Sequence, residues 1–320
     1  MKKLFLIPAV SMCVMAGGET PYINTIGNSE LNTVETKEKT WMETVFFKPE
    51  QPLSSEALRT RVLYTNLIGA GLVAVWGTAF WDYFSTKPIA KNEGWFGKDT
   101  KYGGADKFGH MYSTYLWSLG FSSLYEYWGI NKDEALLYAP LTSWTFQALM
   151  EIGDSFSASE GFSYEDLIMN TVGAAFYYVR EKYPSVKSKL DFRLEYVPDF
   201  NSNADFFTQY NAMKYLMALK FSGFKSMKET PLKYFEFQVG YYTRGYQDHN
   251  NYEDKERVIY AGIGINTSEI LKALGWIKTS KIFNYYQLPY TYVPFGHDFD
   301  SNQYVAPYSR PYYGTKKQDW

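Results

Sequence analysis

The chain changes its hydrophobic period once, near Pro184: before it, apolar residues recur at helical spacing or run together, and after it they alternate with polar ones. The first long helix is expected from Ser54 or Ser55 to about Tyr83. Within it, Leu63 to Trp81 holds 19 residues and no charge, about the length that crosses a bilayer. It reads as a membrane span, with the central helix of a soluble bundle as the alternative. Gly69, Gly71 and Gly77 in that stretch allow close helix approach. A loop over 84–105, rich in glycine and lysine, precedes a second helix at about Asp106 to Trp128. A third is expected at about Lys132 to Ile152, kinked or offset at Pro140. The fourth, at about Tyr164 to Tyr183, opens on a capping-box pattern, Ser163-Tyr-Glu-Asp166, and closes on Arg180 and Lys182, which suit the helix dipole.

Beyond Pro184, Leu190 to Val197, Lys214 to Phe221, Tyr234 to Tyr242 and Arg257 to Ile265 alternate as antiparallel strands do. The polar run Asp248 to Lys255 would join the last two in a hairpin. Four or five strands are too few for an outer-membrane barrel, so a small sheet packed on the helices is expected. A short helix follows from Thr267 to Leu274. The expected fold is therefore α+β: an N-terminal four-helix, membrane-embedded bundle over 55–183, then a small antiparallel β-sheet over 184–280. Residues 281–320 are expected as an irregular Tyr/Pro-rich tail.

A formal charge of −2 argues against a nucleic-acid partner, which would want a basic excess. Aromatic residues make up 19 % of the chain, including 30 Tyr and 9 Trp, as fits membrane interfaces and groove linings; a Tyr-rich sheet surface is the other reading. One cysteine, Cys13, leaves no intramolecular disulfide framework. The start, MKKLFLIPAVSMCVMAGGE, has the shape of a bacterial export signal over 1–18. Cleavage near Ala16 to Gly18 is expected, with lipidation at Cys13 or an uncleaved anchor as alternatives. Residues 19–54 read as a polar linker.

The chemistry-bearing residues fall at helical spacing. Asp106 and His110 are four apart, as are Gln147 and Glu151, with Asp154 three further on; Asp166 and Asn170 are again four apart. Short connections make neighbouring helices antiparallel, which brings the start of helix two, the end of helix three and the start of helix four to one end of the bundle, with Asp82 nearby. A histidine, several carboxylates and an amide against an apolar wall suit acid/base work. In that reading His110, Glu151 and Asp154 are the candidate catalytic residues, while Asp106, Asp166, Asn170 and Gln147 are candidate binding residues. Asp106 and Asp166 are equally readable as helix-start caps, His110 as a satisfied structural partner of an acid, and Asn170 as a helix tie. Ser157 and Ser163 lie in a Ser-rich loop with no strained nucleophile turn around them. No cofactor is assigned, and a metal held by the same carboxylates and His110 ranks third.

Asp106-Lys107-x-x-His110, Glu151-x-x-Asp154-x-Phe156-Ser157 and Gly161-Phe162-Ser163-x-x-Asp166-x-x-x-Asn170-x-x-Gly173 together resemble the YfiM-like family of predicted bacterial envelope lipoproteins. More remotely, the opening and closing parts are similar to VanZ-like membrane proteins. The resemblance implies an exported or membrane-associated envelope protein and carries no established chemistry. The expected function is binding of a membrane lipid or envelope glycan headgroup at the polar end of the bundle. The alternative is a hydrolase or transferase acting on such a molecule, with His110 as base, Glu151 or Asp154 orienting it, and Asn170 stabilising developing charge.

Overall fold

The structure, a computed structural model, describes residues 53–200, 206–246 and 255–306. The export signal, nearly all of the linker, most of the 248–255 loop and the end of the tail lie outside the described residues. Four long helices come first: α1 (Ser55–Phe80), α2 (Ala105–Tyr127), α3 (Lys132–Asp154) and α4 (Tyr164–Lys182). Each start has a local cause. Ser54, Asn131 and Ser163 accept the backbone N–H of Ala57, Glu134 and Asp166, which satisfies a first-turn donor. Helix α2 starts instead on Gly104, whose positive φ of 86° suits glycine, so Asp106 is not its cap. Helix α3 runs through Pro140 unbroken.

Helices α2, α3 and α4 pack as an up-down-up set. Gly173 sets the spacing of α2 and α4: a Cβ there would collide with the carbonyl of Met111. Helix α1 leans on α3, where Gly69 leaves room for the Phe146 ring. Otherwise α1 is bare; only Arg61, Thr65 and Gly77 are buried, and Leu63, Leu67, Leu72, Val75 and Phe80 are exposed. Among the described residues, α1 is the one helix long and apolar enough to cross a membrane. The expected embedding of the whole bundle thus reduces to one candidate span, because α2 to α4 carry the polar side chains of the site.

After the one-turn helix α5 (Pro184–Lys187) the chain forms a six-stranded antiparallel meander in sequence order. Its strands are β1 (Leu190–Tyr196), β2 (Met213–Lys220), β3 (Phe235–Arg244), β4 (Glu256–Ile265), β5 (Tyr292–Asp298) and β6 (Gln303–Val305). Between β4 and β5 lie the short helices α6 (Thr267–Ala273) and α7 (Ile277–Ser280). The first four strands match expectation within two residues. The last two correct the reading of the tail as irregular. Strand β5 contains Pro294, and proline has no N–H for the ladder. In the pairing, Thr291 and Phe299 bond Ile265 and Arg257 of β4, so Pro294, offset by an odd number, turns its nitrogen away from β4. Among the described residues, strand β6 covers only Gly296 to Asp298, and that nitrogen faces an edge that they leave unpaired.

The sheet's two faces are inverted relative to a water-facing sheet. One face carries Asp191, Arg193, Glu195, Lys214, Glu236 and Gln238, all buried. The other carries Phe192, Met213 and Tyr215, which join Tyr112, Tyr115 and Phe108 of α2 and Phe176 and Tyr177 of α4 in the main apolar core. The sheet curls toward its polar face. From β1 to β5 is four strand spacings, about 19 Å if flat, yet Tyr292 of β5 donates to Glu195 of β1 at 2.7 Å. Residues 285–287 lie along the free edge of β1, exchanging hydrogen bonds with Leu194. Inside the curl, Asp191 accepts from Arg180, Arg193 and Lys220 at 2.7, 2.7 and 2.8 Å, and Arg193 also clasps Glu236. Arg180, expected to serve the dipole of α4, is fully buried as the bolt between bundle and sheet.

Candidate functional site

At the end of the bundle where α2 begins, α3 ends and α4 begins, His110 stands between two carboxylates. Its Nδ1 lies 3.6 Å from Glu151 Oε1 and its Nε2 3.7 Å from Asp166 Oδ1. The His110 side chain is 20 % exposed, whereas those of Glu151 and Asp166 are nearly closed off. The imidazole is therefore the accessible member of a buried acidic group. One turn earlier, Lys107 Nζ reaches Glu93, Asp106 and Asp166 at 2.7, 2.8 and 2.9 Å. Asp166 is shared by both cations.

The loop before α2 delivers Glu93. Its backbone is pinned by a parallel bridge of Ala90 to Phe162 and by the N–H of Ile89 on the Ser155 carbonyl. Gly94 N–H donates to Glu165, which also accepts from Ser163 Oγ. The Ser163 backbone N–H donates to Glu151 Oε2 at 3.3 Å, leaving Oε1 toward His110. Asn170, one turn below Asp166, accepts from Thr114 Oγ1 at 2.9 Å. Gln147 donates to Ser113 Oγ at 2.8 Å, one turn beyond His110. Among the described residues, His110 Nδ1, Glu151 Oε1 and Asn170 Nδ2 are buried atoms without a hydrogen-bond partner. Such atoms are uncommon in folded proteins and mark a place where a polar group is accommodated.

The charges are tuned to neutrality. Burial opposes a charged imidazole, but Asp166, then Glu151 and Asp106, outweigh it and raise the His110 pKa to about 8. Burial raises Glu151 to about 8, with His110 only partly offsetting it, and raises Asp154 to about 7 against the hydrogen bond from Tyr83. Glu93 is likewise raised to about 7 by burial, partly offset by Lys107, and burial raises Asp106 too. Asp166 is the exception: burial pushes it up, yet His110 and Lys107 together hold it below the usual carboxylate range. Asp166 is held ionised by its two cations while burial raises the proton affinity of the neighbouring acids, the separation of pKa values that acid/base sites use.

The structure thus brings together His110, Glu151, Asp106 and Asp166, and sets Asn170 and Gln147 one turn deeper. Asp154 lies beside the Tyr83 hydroxyl, which donates to the Met150 carbonyl at 3.0 Å, and is near enough to His110 and Asp166 to feel both charges. Asp82, expected nearby, is exposed in the turn after α1, and the residue after it enters the protein instead. Ser163 caps α4 and Ser157 bonds Ser159. Sequence reasoning missed Lys107, Glu93 and Tyr83. Lys107 stands in plain view within the Asp-Lys-x-x-His string, but a lysine beside an acid reads as a surface charge. Glu93 sits in a loop with no periodic signal.

Among the described residues, two groups have the donor types and spacing for a cation: His110 with Glu151 and Asp166, and Glu93 with Asp106 and Asp166. The Lys107 ammonium fills the second. In the first, the carboxylates approach opposite ring nitrogens, whereas a metal binds one nitrogen of an imidazole. The arrangement fits an imidazolium shared between two acids better than a chelate.

Residues 92–182 match the model of a family described as "Predicted periplasmic lipoprotein (DUF2279)". The match spans the site from Glu93 to Asn170. It supports the periplasmic-lipoprotein part of the expected resemblance, without extending to the YfiM-like or VanZ-like families in particular, and it does not reach Cys13. No curated protein and no solved structure gives a significant match.

Proposed function

We infer that the chain, an exported, membrane-associated protein of the bacterial cell envelope, binds the polar headgroup of an envelope lipid or glycan at the His110 end of the bundle. One observation carries this: the accessible imidazole is flanked by buried polar atoms, Glu151 Oε1 and Asn170 Nδ2, that lack hydrogen-bond partners among the described residues. An acceptor and a donor so placed suit a hydroxyl- or amine-bearing group. The acidic surroundings disfavour a bare phosphate. Helix α1, apolar and largely uncovered, holds the site near the membrane in this reading. The motif likeness to YfiM-like and VanZ-like proteins agrees with that setting.

A second reading, turnover of the same molecule, is favoured by the proton-holding groups near neutral pH, His110 and Glu151. Both are tested by purifying the protein from its own membranes and identifying the bound lipid or glycan by mass spectrometry. Wild type is expected to carry one species that His110→Ala and Asn170→Ala lose while staying folded. Equal amounts in all three would overturn the binding reading. Turnover predicts that Glu151→Gln retains the species and that it accumulates in the envelope; an unchanged envelope profile would remove that reading.

A further inference from the structure

We propose that the uncovered half of the sheet's apolar face is a lipid-contacting surface, seated against the acyl chains of the membrane and separate from α1. The inference goes beyond the reading of the His110 site and does not depend on it.

Among the described residues, the helices cover the apolar face over β1, β2 and the end of β3 that carries Tyr241, which is buried against Phe108 of α2. Over β3 to β5 the same face presents Phe237, Val239, Ile259, Ile263, Val293 and Phe295. All are exposed, Val293 by 79 % and Phe295 by 67 %. The registers Phe237–Ile263–Val293 and Val239–Ala261–Phe295 make the patch contiguous across three strands. No charged residue interrupts it between Ile259 and Ile265. The opposite face, closed inside the curl, holds Leu216, Ala218, Val258 and Tyr260 together with ion pairs, with Arg193 1 % and Glu236 0 % exposed. A sheet that buries its ion pairs and exposes its aliphatic side chains is matched to an apolar surrounding.

Two features favour lipid over a second copy of the chain. The sheet curls toward its polar side, so the apolar face is convex; a convex face buries little area against its own copy, whereas acyl chains conform to it. Where β4 ends, α6 and α7 present exposed Lys272, Trp276, Lys278 and Lys281. Lysines with a tryptophan at the border of an apolar face match an anionic headgroup layer.

The test uses the full chain with Cys13→Ser and a single cysteine at Ile263→Cys or Phe295→Cys, each carrying an environment-sensitive fluorophore. Both positions are exposed, so a label at either leaves the packing intact, and far-UV circular dichroism checks each. The protein is reconstituted in phosphatidylethanolamine–phosphatidylglycerol vesicles, with and without brominated acyl chains. The proposal expects both labels to lose most of their emission to the brominated chains and to resist quenching by aqueous iodide. Quenching by iodide would place the face in water and overturn it. Shielding from iodide without quenching by bromine would mean that protein covers the face, which overturns it equally.

Discussion

Asp191→Asn should destabilise the protein by about 3–5 kcal/mol, the usual cost of removing one partner from a buried ion-pair network. Asp191 is fully buried, with Arg180, Arg193 and Lys220 around it. The amide keeps the shape and removes the charge, so three buried cations lose their common anion. Arg193 retains Glu236 and Arg180 retains Glu181, but among the described residues Asp191 is the one acid paired with Lys220. The pH dependence has a definite sign. Although burial opposes it, Arg193, Lys220 and Arg180 hold the folded Asp191 pKa down to about 2, so its stabilisation is present above the unfolded value near 4 and is lost as pH falls through about 2. Wild type and variant should therefore differ at pH 5 to 8 and converge only in strong acid. Thermal unfolding in detergent measures this; equal midpoints at pH 7 would show that the network is not what joins bundle to sheet.

The second large effect is at Lys107. Its ammonium, 1 % exposed, neutralises Glu93, Asp106 and Asp166 at once. Lys107→Met preserves the length of the side chain and strands three carboxylates, with an expected loss of about 3–5 kcal/mol at pH 8. Those carboxylates escape by taking up protons, so the loss should shrink as pH falls toward 5. Burial alone would lower the Lys107 pKa, but Asp106, Asp166 and Glu93 raise it; its contribution in wild type is therefore present at neutral pH and lost only as pH rises through the folded value. Unfolding midpoints of the variant at pH 5 and pH 8 decide the matter. A penalty equal at both would mean that lost packing of the alkyl stem, rather than unpaired charge, is responsible.

Much of this architecture follows from local rules. Ser54, Asn131 and Ser163 announce helix starts, and each does cap. The convergence of His110 with Glu151 and Asp166 follows from four-residue spacing and antiparallel packing. What spacing could not say was which acid faces which ring nitrogen, because Asp154 and Glu151 differ by less than one helical turn and only the Tyr83 contact separates their roles. The strands were readable from alternation, but alternation does not say which face turns inward. Asp191, Arg193 and Glu195 look like a solvated face in sequence, and the curl buries them because each finds a partner across the sheet. Pro294 hid β5 for a related reason: its effect on a strand depends on which neighbour its nitrogen faces.

His110, set between Glu151 and Asp166, is the proton-holding group at the centre of the site. With three histidines in the chain, its imidazole resonances can be assigned by comparison with His110→Gln and followed by NMR from pH 5 to 10. The predicted midpoint is about 8 in wild type, falling clearly in Glu151→Gln, where one of the two flanking acids is gone. A wild-type midpoint at or below the ordinary value near 6.5, or one that Glu151→Gln leaves in place, would contradict the shared site.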